Sequence, residues 1–150
     1  MEEIYMSGLN DRTIESIKKS PDILRYQESH CHSNSLELYN GDIMDNLYGQ
    51  IGYTIINRSI VEGFAIIENI VFPHIWNCFT IRKNDDIQKE YIDITKALFF
   101  NDKSARYFET EQYNSDVLER NNANGCVFSD DTKKIAELYA LDNNLEYRES

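Results

Sequence analysis

The sequence predicts an α+β protein in which helices come first, a run of strands follows and a helix ends the chain. Three observations support this class: apolar residues at helical spacing near both ends, β-branched and aromatic runs in the middle, and short polar links between those runs. Strands joined by short links are usually antiparallel neighbours in one sheet. We therefore expect helices packed on a small antiparallel sheet of about four strands.

Helices are predicted before the strands. A short amphipathic helix carries Ile14 and Ile17 and ends at Ser20-Pro21, because proline suits the first turn of a following helix better than a helix interior. A further helix is predicted from Cys31 to Tyr39, and Asn40-Gly41 ends it. This prediction places Cys31 in the first helical turn.

The middle of the chain has the composition and alternation of strands. β-branched and aromatic residues fill four segments, which are Ser59–Ile67, His74–Ile81, Tyr91–Thr95 and Ala105–Thr110. The polar stretch from Lys83 to Asp86 predicts a hairpin loop between the second and third of these segments. We therefore expect a meander of four antiparallel strands.

The last helix is predicted near the C-terminus. Ser129 can cap it, and the two aspartates that follow suit the positive end of the helix dipole. Ile135, Leu138 and Leu141 then recur at helical spacing. The cap and the spacing together predict a helix that begins directly after Ser129.

Length, composition and charge indicate one domain over residues 1–150. The chain is 41% hydrophobic and 27% charged, which is ordinary globular usage, and no repeat or linker divides it. Its formal net charge of −11 at pH 7 works against binding nucleic acid or an anionic membrane surface. No signal peptide or membrane-spanning apolar run is apparent, so we expect a cytoplasmic protein. The sequence carries no signal of oligomeric state.

Three residues on these elements are candidates for thiol chemistry. Cys31 lies at a predicted helix start, His74 lies early on a strand, and Asp93 lies on the next predicted strand. A helix N-terminus and a neighbouring imidazolium both stabilise a thiolate, which is the reactive form of cysteine. A carboxylate that holds the imidazole in one tautomer completes a triad. If the two strands pair in the right register, Asp93 reaches His74.

An acyl-transfer site also needs donors for the oxyanion that forms when the nucleophile attacks a carbonyl. The backbone N–H of Cys31 is the natural first donor. A second donor could come from Gln27, four residues upstream, or from Asn34, one helical turn further on. The sequence leaves these two possibilities open.

Further residues are expected to support the site. Trp76 and Asn77 lie just beyond His74, where the indole could shield a histidine–carboxylate bond from water. Glu62 and Gly63 interrupt a strand pattern and are candidates for substrate binding, because a glycine there indicates a bulge or a close backbone approach beside the site. The alternative for this pair is a sheet-packing glycine beside a surface acid.

The order Cys31, His74, Asp93 on these elements resembles the papain-like cysteine hydrolases, which include papain-type peptidases, transglutaminases and bacterial glutamine deamidases. Four blocks are also similar to a set of small bacterial and phage proteins: Cys31-His32-Ser33-Asn34-Ser35, Val61-Glu62-Gly63-Phe64-Ala65, His74-Ile75-Trp76-Asn77 and Ile92-Asp93-Ile94-Thr95. Two positions depart from that set's pattern, since Ile75 replaces a small residue and Glu109 replaces the glycine after Tyr107-Phe108. The resemblance implies a papain-like fold and this triad, and it names no substrate.

The residues and the resemblance together predict a cysteine-dependent hydrolase or acyl-transfer enzyme that acts on an amide of a protein or peptide. A deamidase, a peptidase or isopeptidase, and a transglutaminase-like enzyme all fit this chemistry, which needs no cofactor. By analogy with the family, a phage or bacterial effector that modifies a host protein would also fit.

Two other interpretations stay open at this stage. His30-Cys31-His32, with His74 or Cys78, offers imidazole and thiolate ligands for zinc, although no paired spacing supports a closed site, and we predict no metal. Alternatively, the protein is a non-enzymatic acidic binding or inhibitor protein that occupies a basic surface. Cys78 and Cys126 are expected to be buried thiols without a chemical role.

Overall fold

The computed structural model describes residues 2–6, 15–19, 31–99, 103–113 and 128–149. The helices are α1 (Cys31–Asn40), α2 (Ile43–Gln50), α3 (Ile94–Phe99) and α4 (Asp130–Asp142), and residues 15–18 form a further helical turn. The strands are β1 (Glu2–Ile4), β2 (Thr54–Ile67), β3 (Ile70–Lys83), β4 (Asp86–Ile92), β5 (Arg106–Tyr113) and β6 (Glu146–Tyr147). The α+β class predicted from the sequence is confirmed.

The strands form one mixed sheet in the order β1-β5-β2-β3-β4, with β6 paired to β3. All pairs along this order are antiparallel, and the β3–β6 pair is parallel. The sheet therefore has six strands and is larger than the small antiparallel sheet that we expected. The two additional strands, β1 and β6, contain only three and two residues, so alternation could not reveal them.

The predicted meander is correct for β2, β3 and β4 and wrong for β5. A turn at Glu68-Asn69, where both residues have positive φ, joins β2 to β3, and a turn at Asn84-Asp85 joins β3 to β4. β5 then pairs with β2 on the opposite side of the hairpin. The chain must cross the sheet to reach that position, and local patterning carries no information about such a crossing.

The predicted strand Tyr91–Thr95 is wrong in its second half. β4 ends at Ile92, and the next residues form α3. Asp93 causes this change, because its Oδ1 accepts a hydrogen bond from the backbone N–H of Lys96 at 3.2 Å, as an N-cap side chain does. Asp93 therefore stands between a strand and a helix rather than within a strand.

Apolar clusters line both faces of the sheet, and all the helices pack on one of them, because Val71 and Phe79 point to the same side of β3. Trp76 and Cys78 belong to a cluster on the opposite face. The first three helices and the helical turn pack on β3 and β4 through a cluster that includes Ile17, Leu38, Met44 and Phe79. The last helix, α4, packs on Phe64 and Phe108 through Ala136, Ala140 and Tyr139.

The start of α4 confirms the predicted cap. The Ser129 hydroxyl accepts a hydrogen bond from the N–H of Thr132 at 3.2 Å. Ile135, Leu138 and Leu141, however, are 36%, 53% and 73% exposed. The small side chains on the opposite face of α4 allow it to lie close to the sheet. Within the described residues, no helix has both the length and the apolar character that crossing a membrane would require.

Candidate active site

Cys31 is the first residue of α1 and is partly exposed. Buried polar contacts fix this helix against the sheet: Asn77 Nδ2 donates to the carbonyl of Ser35 at 2.9 Å, and Asn34 Nδ2 donates to Thr95 Oγ1 at 2.9 Å. Asn34 and Asn77 are both fully buried. The two asparagines therefore hold the Cys31 end of α1 beside β3 and α3.

His74 and Asp93 form a buried pair that joins the end of β4 to β3. His74 Nε2 and Asp93 Oδ2 are 2.7 Å apart, and the two residues are only 7% and 2% exposed. Because Asp93 engages Nε2, Nδ1 is the ring nitrogen left for the thiol of Cys31. The structure thus brings His74 and Asp93 together, and the carboxylate orients the ring. Cys31 is connected to this pair electrostatically, since His74 is among the groups that lower its pKa.

Asp93 accepts a further hydrogen bond from a residue that sequence reasoning missed. The hydroxyl of Tyr107 donates to Asp93 Oδ2 at 2.7 Å, the same oxygen that faces His74. Burial and the Asp93 charge raise the pKa of Tyr107 well above its ordinary value, so the hydroxyl stays protonated. A buried tyrosine on β5 signals that its hydroxyl needs a partner, but the sequence does not say which one.

The protonation states of the pair follow from these contacts. Burial lowers the pKa of His74, but the charge and hydrogen bond of Asp93, with smaller contributions from Cys31, raise it to about 10. Burial raises the pKa of Asp93, but His74, Tyr107 and the Lys96 N–H together hold it below its ordinary value. At neutral pH the pair is therefore an imidazolium beside a carboxylate.

The Cys31 thiol is acidic for the same reason. Burial raises its pKa, but hydrogen bonding and the electrostatic influence of His32 and His74 lower it by more, from 9.0 to about 6. The N–H groups of the first turn of α1 add to this effect, because they lack intrahelical acceptors. A thiolate at neutral pH is the state that nucleophilic chemistry requires.

His32 is a second imidazole at the sulfur, and sequence reasoning gave it no role in a thiol site. Its Nδ1 lies 3.8 Å from Cys31 Sγ. Its ring is buried, at 2% exposure, and packs against Phe128 with ring centroids 4.6 Å apart. Adjacency in the sequence gave no signal of this role, because neighbouring residues of a helix do not face each other. Packing against Phe128 directs the ring to the sulfur.

Trp76 and Gly63 enclose the histidine–carboxylate pair. The fully buried indole lies edge-on to Tyr107 at 5.2 Å and 6.1 Å from the His74 ring. Gly63 pairs with His74 across β2 and β3, and a Cβ at Gly63 would overlap the Phe108 carbonyl and lie 2.8 Å from Trp76 Cη2. A register shift between Glu62 and Gly63 marks a bulge there, so the close-approach interpretation of this glycine is confirmed.

Glu62 is not the surface acid of the alternative interpretation. It is 1% exposed, and its Oε1 accepts a hydrogen bond from the backbone N–H of Ser129 at 2.7 Å. The structure therefore places the Glu62 carboxylate at the start of α4, where it fixes that helix, rather than on an open surface for substrate.

The remaining predicted residues divide into two groups. Cys78 is 2% exposed and packs in an apolar cluster, as expected of a buried thiol. Gln27, His30 and Cys126 lie outside the described residues. Within the described residues, no three His, Cys, Asp or Glu side chains are grouped as metal ligands.

Comparisons with family models, with curated proteins and with solved structures find no match to this chain.

Proposed function

We propose that this protein is a cysteine-dependent hydrolase or acyl-transfer enzyme that acts on amides, with Cys31 as nucleophile and a papain-like arrangement of its triad. The observation that carries the proposal is the 2.7 Å bond between His74 Nε2 and Asp93 Oδ2, beside an acidic thiol at a helix start. A histidine base, its orienting carboxylate and an activated sulfur are the parts that covalent catalysis needs.

The reaction begins with attack of the Cys31 thiolate on the carbonyl carbon of an amide. A C–S bond forms, and the carbonyl π electrons move onto oxygen, where the backbone N–H of Cys31 can donate to the oxyanion. Asn34 Nδ2 already donates to Thr95, so it is engaged in positioning α1. The tetrahedral intermediate then collapses, and the C–N bond breaks.

His74 supplies the proton that the leaving nitrogen requires, because an amine anion is a poor leaving group. The imidazolium gives this proton from Nδ1, while Asp93 remains on Nε2. In the second half, neutral His74 takes a proton from water, and the hydroxide attacks the thioester. The C–S bond breaks, the carboxylic acid leaves and loses its remaining proton to solvent, and the Cys31 thiolate and the His74 imidazolium are restored. An amine in place of water would complete a transfer instead of a hydrolysis.

Selective alkylation tests whether Cys31 is the activated thiol. Iodoacetamide at neutral pH should label Cys31 much faster than Cys78, which is buried and whose pKa is raised by that burial. Peptide mapping after short exposure gives both rates in one sample. Equal or negligible labelling of Cys31 in the folded protein would contradict the proposal.

A comparison of protein masses in a treated lysate tests whether the protein hydrolyses an amide. A host lysate is incubated with the wild-type protein or with Cys31→Ala, and protein masses are compared. We expect cleavage products, or the mass gain that replacement of an amide NH2 by OH produces, only with the wild type. Binding without any mass change in either sample would instead support the alternative of a non-enzymatic acidic binding protein.

A further inference from the structure

We infer that His32 is a second catalytic residue, a hydrogen-bond donor from Nδ1 to the Cys31 sulfur whose role is separate from that of the His74–Asp93 pair. This inference rests on the proposed function, because it assigns a partner to the same thiolate. It is carried by the position of the His32 ring and by the surroundings of each ring nitrogen.

The ring position leaves one nitrogen for the sulfur. Nδ1 of His32 lies 3.8 Å from Cys31 Sγ. Burial at 2% exposure and packing against Phe128, with an interplanar angle of 59°, hold the ring in this orientation. His32 also belongs to α1, so the imidazole and the thiol move together with one helix.

The surroundings of the second ring nitrogen, Nε2, determine which nitrogen carries the proton. Nε2 of His32 is buried and has no hydrogen-bond partner among the described residues. Among these residues a proton on Nε2 would be a buried donor without an acceptor, whereas a bare lone pair there is the less costly state. The proton of a neutral ring is therefore on Nδ1, from which it points to the sulfur as a donor.

The two imidazoles at the sulfur then differ in function. His74 is backed by Asp93 and carries the proton that moves during the reaction. His32 has no carboxylate partner among the described residues and donates Nδ1–H without giving up its proton. When the acyl-enzyme breaks down and the C–S bond electrons return to sulfur, this donor stabilises the departing thiolate.

Substitutions at position 32 separate the donor from the ring. His32→Phe keeps an aromatic ring against Phe128 and removes the donor. His32→Asn places an amide N–H close to the position of Nδ1, so it should retain the bond. The titratable groups that act on the thiol from its packed neighbours are His32 on α1 and His74 on β3, with Asp93 behind His74.

The test is the rate of Cys31 alkylation by iodoacetamide as a function of pH, in the full chain, with circular dichroism as the check of folding. His32→Phe removes one hydrogen bond to the thiolate, so Cys31 in this variant should be labelled about tenfold more slowly on the acid side of the pH profile. The midpoint of the profile should lie about one pH unit higher than in the wild type. His32→Asn should stay close to the wild-type profile. If His32→Phe does not fold, His32→Gln, whose donor lies near the Nε2 position, takes its place with the same expectation.

Two results would overturn the inference: coincident profiles for the wild type and His32→Phe, or an equal displacement in His32→Asn. Failure of the proposed function is a different result, since it appears in the wild type itself as a Cys31 that titrates like an ordinary thiol.

Discussion

At the scale of single residues, Asp93 connects the fold to the site. Its Oδ1 accepts from the backbone of Lys96 and begins α3, while its Oδ2 accepts from His74 and Tyr107. One carboxylate therefore ends β4, caps a helix and orients an imidazole. A buried anion of this kind is stable only while its donors remain in place.

Tyr107→Phe should destabilise the protein. The substitution removes one of the donors to a carboxylate that is 2% exposed, and hydrogen bonds to charged groups contribute about 1.5–3 kcal/mol. The free energy of unfolding, measured by urea titration, should fall by about that amount.

Tyr39→Phe is the matched control for this variant. Tyr39 is half-buried, and its hydroxyl makes no hydrogen bond with the described residues. Its substitution should therefore leave the free energy of unfolding almost unchanged. An equally stable Tyr107→Phe protein would show that the 2.7 Å contact with Asp93 contributes nothing.

Local patterns located the three central residues of the site because each carries a local signal. Cys31 follows from a helix start in a polar stretch, and His74 and Asp93 follow from their places on consecutive segments. Tyr107 and His32 lacked such a signal, because their roles depend on side-chain directions set by packing across the sheet and within α1.

At the scale of elements, Gly63 decides how closely β5 approaches β2. The bulge between Glu62 and Gly63 brings the Phe108 carbonyl to the place that a Cβ would occupy. Trp76 fills the space on the neighbouring strand. This part of the sheet carries His74, so the glycine also determines how tightly the site is closed.

Gly63→Ala should therefore destabilise the sheet. The added methyl meets backbone on one side and a buried indole on the other, and overpacking of this kind costs about 1–3 kcal/mol. Thermal unfolding of the variant should occur at a lower temperature than that of the wild type.

Gly49→Ala provides the comparison. A Cβ at Gly49 meets no atom within 4 Å, and the residue lies in α2, where alanine is the better helix former. This variant should be as stable as the wild type or more stable. If Gly63→Ala behaved in the same way, the close approach of β5 would not constrain the fold.

Elements with strong local signals were predicted, and elements set by distant contacts were not. α1, the central strands and the Ser129 cap were predicted, whereas α2 was missed, although Asp42 at its N-cap is a residue type that favours a helix start. The exposed stripe of Ile135, Leu138 and Leu141 shows that helical spacing alone does not identify the buried face of a helix.

At the scale of the whole molecule, the site links stability to pH in two opposite ways. The folded-state pKa of His74 is raised from 6.5 to about 10, so its stabilisation is complete below pH 6.5 and is lost as the pH rises towards 10. The folded-state pKa of Cys31 is lowered from 9.0 to about 6, so its stabilisation is complete above pH 9.0 and is lost as the pH falls through 6. Between pH 6.5 and 9.0 the two trends oppose each other.

Cys31→Ser removes the contribution of Cys31 to the pH dependence of unfolding, so the contribution of His74 should become visible. Relative to the wild type, the variant should lose up to about 1.4 kcal/mol of unfolding free energy per pH unit between pH 6.5 and 9.0, because in the wild type Cys31 takes up a proton on unfolding while His74 releases one. Urea titrations of both proteins at several pH values give the difference, in which all shared groups cancel. Parallel curves for the two proteins would mean that Cys31 and His74 are not linked to folding in this way.

The central claim is that Cys31 is a thiolate at neutral pH, and the ultraviolet absorbance of the thiolate measures this directly. The difference between the wild type and Cys31→Ser isolates the signal of one sulfur during a pH titration. We predict that this signal develops with a midpoint near pH 6, in agreement with the lowered pKa of Cys31. A signal that develops only near pH 9.0, the ordinary value for a thiol, would contradict the account.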